Sequence, residues 1–224
     1  MKCPAPYIEL IQNADDAGAT KVCILLDENT YGTESVLSPA MAPLQGPALL
    51  FFNNAVFSES DIRCLARIGQ ASKLERLATT GTVLDTTSNS SVFTWSYSYP
   101  LNAFLLKCIS GRFGLGFNAV YHLTDVPSFV SRESIIIFDP HTSYVPGATP
   151  SQPGIRIRLQ NSGISSFATE FPHQCEPYRF FGCDFNHSFP GTLFRFPLRT
   201  EAMASTKSLR SPPSPLLVLS LALP

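Results

Sequence analysis

Two stretches taken in order constrain this chain more than anything else in it: Glu9–Ala17 (ELIQNADDA) and Gly111–Phe117 (GRFGLGF). In the first, an amide follows a carboxylate at a spacing of four, so Glu9 and Asn13 share a helix face and Asp16 lies on or beside that face a turn further on. Carboxylate, amide and carboxylate arranged in this way suit a metal-nucleotide. In the second, three glycines among seven residues let the backbone adopt positive φ and come close to a phosphate. The helix-forming text that follows, Phe117–Leu123, offers unpaired N–H donors to an anion.

The remaining elements follow from periodicity. Ile8, Ile11 and Ala14 recur at helical spacing, and Gly18 is placed to stop the helix. Lys21–Asp27 (KVCILLD) and Pro47–Phe52 (PALLFF) are apolar runs of strand length. Between them Thr33–Gly46 carries Gly, Ser and Pro without periodicity and predicts a loop. Ser58-Glu59-Ser60-Asp61 predicts a helix start, with Ile62, Leu65, Ala66 and Ile68 as its apolar face. Ser134–Phe138 (SIIIF) is a β-branched strand closed by Asp139-Pro140-His141. Ile155–Leu159 and, less cleanly, Thr192–Leu198 alternate in character and predict strands with one buried face. Strands and helices are mixed without strict βαβ alternation. The expectation is an α+β two-layer sandwich, with helices on one face of a mixed, mostly antiparallel sheet.

Composition removes several function classes. The formal net charge is −1 and no basic run is present, so neither nucleic acid nor an anionic membrane is an expected partner. No apolar run approaches the roughly 20 residues of a membrane span, and the N-terminus has no charged-then-apolar signal segment. Six cysteines are scattered without close pairs, as in a reduced cytoplasmic protein. His173, Cys175, Cys183 and His187 match no zinc spacing.

Against this background the chain resembles the nucleotide-binding domain of the GHKL ATPases, the Bergerat fold, and within that group the sacsin-type domain. The resemblance is carried by ELIQNADDAGATKV from Glu9, LQGPALLFFNNAVF from Leu44, IGQASK at Ile68–Lys73, GRFGLGFNAVYHLTDVPS at Gly111–Ser128, FDPH at Phe138–His141 and GTLFRFPLR at Gly191–Arg199. It implies ATP as ligand with Mg²⁺, slow Mg-dependent hydrolysis, and chaperone clients or co-chaperones as partners. Glu9 matches the general base and Asn13 the Mg²⁺ ligand. Asp16 and Ala17 match the nucleotide-facing helix end. Gly111, Arg112, Phe113, Gly114, Leu115, Gly116 and Phe117 match the glycine box over the phosphates. Thr192, after Gly191, matches the hydroxyl on the adenine side, and Lys73 matches a lysine near the nucleotide. Asn54 stands where the family has an aspartate that accepts from the adenine amino group; an amide oxygen still accepts, but without the charge that strengthens the bond. The alternative is a non-hydrolysing interaction module on the same fold.

One block departs from the resemblance. Thr82–Gly111 is rich in Ser, Thr and aromatics, with Asp85 and Lys107 its only charges and Trp95 the only tryptophan of the chain. Its removal joins Ala78-Thr79-Thr80-Gly81 to Arg112-Phe113-Gly114, which restores continuous sacsin-type text. The expected organisation is a nucleotide-binding domain over 1–206, interrupted at 82–111 by an in-frame insertion such as a retained intron in the lid region. A proline-serine hinge then leads to a disordered tail over 207–224.

Overall fold

A computed structural model describes residues 6–62, 120–121, 123–159, 166–200 and 203, with side chains of the first helix described from Leu10 onward. Helix α1 (Pro6–Asp16) opens on a proline, whose missing N–H is no loss at a first helical position. It ends as the glycine predicted. Gly18 takes φ 75°, its N–H donates to Asp15 O at 2.8 Å, and Ala19 N–H donates to Ala14 O at 2.9 Å, which is the Schellman closure. The buried stripe runs through Leu10 and Ala14, while Ile11, expected on the apolar face, is 43% exposed. At residues 58–61 the expected helix start is a reciprocal capping box. Asp61 Oδ2 accepts from Ser58 N–H (2.8 Å) and Ser58 Oγ accepts from Asp61 N–H (3.2 Å).

Six strands form one sheet in the order β1-β2-β6-β3-β4-β5. They are β1 (Val22–Asp27), β2 (Ala48–Asn53), β3 (Ser128–Arg132), β4 (Ser134–Phe138), β5 (Gly154–Arg158) and β6 (Phe189–Pro197). Each pairing among the described strands is antiparallel, so the expected mixed character is absent from them. Strand β6, the longest, pairs with β2 and β3 and carries the centre of the fold.

The sheet is covered on both faces. Leu49, Phe51, Phe129, Ile136, Phe194 and Phe196 form a core with Leu10 and Ala14 of α1 and with Ile62, Val120 and Leu123. On the other face Leu50, Phe52, Val130, Ile135 and Leu193 pack against Met41 and Leu44 of a 3-10 helix (Pro39–Gln45), Phe167 of α2 (Phe167–Glu170), Cys175 of α3 (Pro172–Cys175) and Tyr178. This corrects the expectation of helices on one face only. The interior strands are buried at almost every position, odd and even, so each face must bury its side chains against something. The uneven alternation of TLFRFPL has the same cause: Phe194 and Phe196 face α1, while Leu193 and Arg195 face the opposite core.

Arg195 is 1% exposed and its burial pulls the guanidinium below its ordinary pKa. The charge is met by Gly46 O, at 3.0 Å from Nη2, and by the ring of Tyr178, 5.8 Å away, whose hydroxyl lies 2.7 Å from Ser128 Oγ. No described helix is long and apolar enough to cross a membrane.

Candidate functional site

The site begins as a consequence of strand register. On the face that carries α1, Phe51, Phe194, Phe129 and Ile136 lie side by side across β2, β6, β3 and β4. Two residues along each strand, the next row on that face is polar: Asn53 pairs with Thr192, Thr192 with Ser131, and Ser131 with Ser134. All four are 5% exposed or less. A buried polar row beside a wall of phenylalanines needs partners. Thr192 Oγ1 donates to Ala55 O at 2.8 Å and lies 3.1 Å from Ser131 Oγ. Ser131 Oγ donates to Gly191 O (3.0 Å) and accepts from Phe57 N–H (3.0 Å), and Asn53 Oδ1 accepts from Ala55 N–H (3.0 Å). The row therefore grips residues 55–57, the exit from β2.

Gly191 is required next to Thr192 for a steric reason. A Cβ there would sit 2.7 Å from Asn53 O and 2.7 Å from the Phe52 ring, closer than van der Waals contact allows. The Gly-Thr pair thus lets β6 approach β2 tightly and points the threonine hydroxyl into the row.

Of the residues singled out from sequence, Thr192 lies in this row. Asn13 and Ala17 flank the buried Leu10–Ala14 stripe of α1 on one side, and Asp16 lies further round the same flank; all three are half-buried. Glu9 belongs to α1, with its side chain outside the described residues. Lys73 and Gly111, Arg112, Phe113, Gly114, Leu115, Gly116 and Phe117 also lie outside them.

Asn54 is placed elsewhere. It is exposed, and its Oδ1 accepts from Thr20 N–H (2.8 Å) and Lys21 N–H (2.9 Å) while Nδ2 donates to Thr20 Oγ1 (2.8 Å). The carboxamide is thereby committed to holding the α1–β1 connection against the end of β2. Asn53, its neighbour, faces α1 and stands beside Thr192. Which residue of an Asn-Asn pair faces α1 depends on the strand register.

A second group missed from sequence anchors the segment that follows the glycine stretch. Arg199 Nε and Nη2 donate to Asp125 Oδ1 at 3.0 and 2.9 Å, and Nη2 also donates to Tyr121 O at 2.6 Å. The end of β6 is thus clasped to residues 121–125. Tyr121 is partly buried here near Asp139, and desolvation with the aspartate's charge holds its hydroxyl protonated well above the usual range. The two histidines and two cysteines set aside as metal ligands have other roles. His173 Nδ1 accepts from Ser35 N–H, His187 pairs with Asp184, and Cys175 and Cys183 are buried thiols.

Comparison with known proteins adds family to geometry. The Sacsin domain family matches residues 6–83 and 107–216, leaving between them 84–106, the interior of the block at 82–111. The chain is 36% identical over 207 residues to the human protein Sacsin; the match covers 92% of this chain and 4% of the human protein's length.

Proposed function

The chain belongs to the Sacsin domain family, and on that premise we propose that it is an ATP-binding domain of the Bergerat type within a sacsin-like, chaperone-related protein. The observation that carries this reading is the buried polar row Asn53–Thr192–Ser131 on the α1 face of a sheet whose adjoining row is aromatic. The row lies on the α1 face beside an aromatic core, and its amide and hydroxyl groups, which here hold residues 55–57, are of the kind that distinguish an amino group from a carbonyl. Asn53 takes the adenine-recognising role first assigned to Asn54: the exposed Asn54 commits both its carboxamide oxygen and its nitrogen to Thr20 and Lys21, whereas Asn53 faces α1 and commits its oxygen to Ala55 N–H.

The helix side supplies the opposite end of the nucleotide. Asn13 and Asp16, half-buried oxygen donors on one flank of α1, fit Mg²⁺, a hard cation that keeps waters and phosphate oxygens in its shell. Bound there, the ion would neutralise phosphate charge. Glu9, one turn before Asn13, orients the attacking water, and the glycine box from Gly111 to Phe117 gives backbone donors to the phosphates. Catalysis is then mainly positioning and charge stabilisation, with a slow turnover expected. A rival reading, a non-hydrolysing module, is favoured by the amide at position 54, where the family has a charged acceptor.

Calorimetric titration with Mg-ATP tests the proposal. Saturable binding that Thr192→Val weakens and Glu9→Gln leaves intact supports it, and phosphate release that Glu9→Gln abolishes identifies an ATPase. Binding without phosphate release in the unsubstituted chain supports the rival.

A further inference from the structure

The polar row continues past Ser131 to Ser134 and Arg158, and there the surface opens into a cleft of about 560 Å³. Phe57, Glu59 and Ile62 form one wall, the Arg132-Glu133 turn another, and Arg156 and Arg158 of the edge strand β5 the third.

The three arginines are not equivalent. Arg156 is already compensated: its guanidinium forks onto the two carboxylate oxygens of Glu59, and its Nε and Nη2 donate to Ser134 Oγ at 3.0 and 2.9 Å. Arg132 and Arg158 are exposed and have no ion pair or hydrogen-bonded side-chain partner among the described residues. Ser134, at the base of the cleft, is 2% exposed, and both bonds at its Oγ are accepted from Arg156. A hydroxyl also carries one proton to donate, and among the described residues that proton has no acceptor. Arg132 adds a further signal. It holds φ 52° in the two-residue turn joining Ser131 to Ser134, a conformation that hairpins ordinarily assign to Gly, Asn or Asp. Strain retained at a cleft wall, where a glycine would relieve it, points to a use for the side chain.

We propose that this cleft binds a phosphate monoester, at a site that adjoins the proposed nucleotide row at Ser131 but does not depend on whether that row binds ATP. Arg132, Arg158 and the Ser134 hydroxyl supply three donors for three terminal phosphate oxygens, and the two uncompensated guanidinia balance a dianion. Arg156, fixed by Glu59, holds the serine in place. Phe57 and Ile62 face the organic part of the ligand, and Glu133 at the rim opposes the anion.

Titration of the whole chain with inorganic phosphate and with glycerol phosphate, at constant ionic strength, tests this. Saturable binding of both is expected. Arg158→Ala should weaken it roughly tenfold or more, a loss of at least about 1.4 kcal/mol. Arg132→Gly removes the guanidinium and the strain together, so it should weaken phosphate while leaving the melting temperature unchanged or higher. Glu133→Gln should tighten binding, and adenosine, which has no phosphate, should not displace the ligand. Absence of saturable phosphate binding, affinity unchanged in both arginine variants, or displacement by adenosine would overturn the proposal.

Discussion

Asn53 and Asn54 are adjacent in sequence and differ in nearly everything the fold does with them. Asn53 is buried in the row beside Thr192, while Asn54 is exposed and bonded to Thr20 and Lys21. Asn54→Asp keeps the acceptor for both backbone N–H groups, and the Thr20 hydroxyl can rotate to donate, so stability should change by less than about 1 kcal/mol. Nucleotide affinity should not rise, although the substitution recreates the aspartate of the family pattern. Asn53→Ala, by contrast, should weaken Mg-ATP binding in the same titration. A second residue-scale test concerns Arg199 and Asp125, whose side chains are 10% and 6% exposed. Arg199→Ala leaves a buried carboxylate without its cation and should cost about 3–5 kcal/mol in a denaturant melt. Neither pair was legible in sequence. Asp125 and Arg199 are 74 residues apart, and their meeting depends on β6 ending beside the segment at 121–125.

At the scale of elements, apolar runs and turn residues specified β1, β2, β4, β5 and most of β6 because their signal is local. Strand β3 (SFVSR) carried no such signal. Its two serines are core positions whose hydroxyls bond across the sheet, Ser128 to Tyr178 and Arg195 O and Ser131 to Gly191 O. The 3-10 helix Pro39–Gln45 lay in a stretch read as loop, since its two prolines break α-helical periodicity yet suit a tight turn that buries Met41 and Leu44. Helices α2 and α3, four residues each, are too short for a period to be seen. The end of α1 was legible and gives a clean prediction. Gly18 has φ 75° and nothing within 4 Å of an added Cβ, so Gly18→Ala is a purely backbone change. It should destabilise by about 1–2 kcal/mol in a thermal or urea melt.

For the molecule as a whole, the sheet order decides what the sequence alone could not. The site row is drawn from β2, β6 and β3, distant in sequence and brought together only by the order β1-β2-β6-β3-β4-β5. The buried thiols of the core opposite α1 contribute to the alkaline response. Burial raises the Cys175 and Cys183 thiols from 9.0 to about 12, and Tyr31, beside Asp27, is likewise raised to about 12. A raised folded-state pKa means these groups contribute stability that is complete below the unfolded value, near 9 for the thiols, and lost as pH climbs through the folded one. Alkaline unfolding should therefore develop between about pH 9 and 12 for the thiols. Iodoacetamide at pH 8 should leave both unmodified in the native chain.

The block at 82–111 enters at this scale too, as an insertion proposed to interrupt the lid. The most direct measurement is a thermal melt with and without Mg-ATP, run on the full chain, on a version lacking 82–111, and on each with Asn53→Ala. Arg132→Ala/Arg158→Ala serves as the control against phosphate binding in the arginine cleft. The predicted result is a nucleotide-dependent rise in melting temperature, larger in the shortened chain, retained in the arginine control and lost with Asn53→Ala. Cooperative melts with no rise in either length of chain, or a rise that survives Asn53→Ala and vanishes in the arginine control, would contradict nucleotide binding at the α1 face.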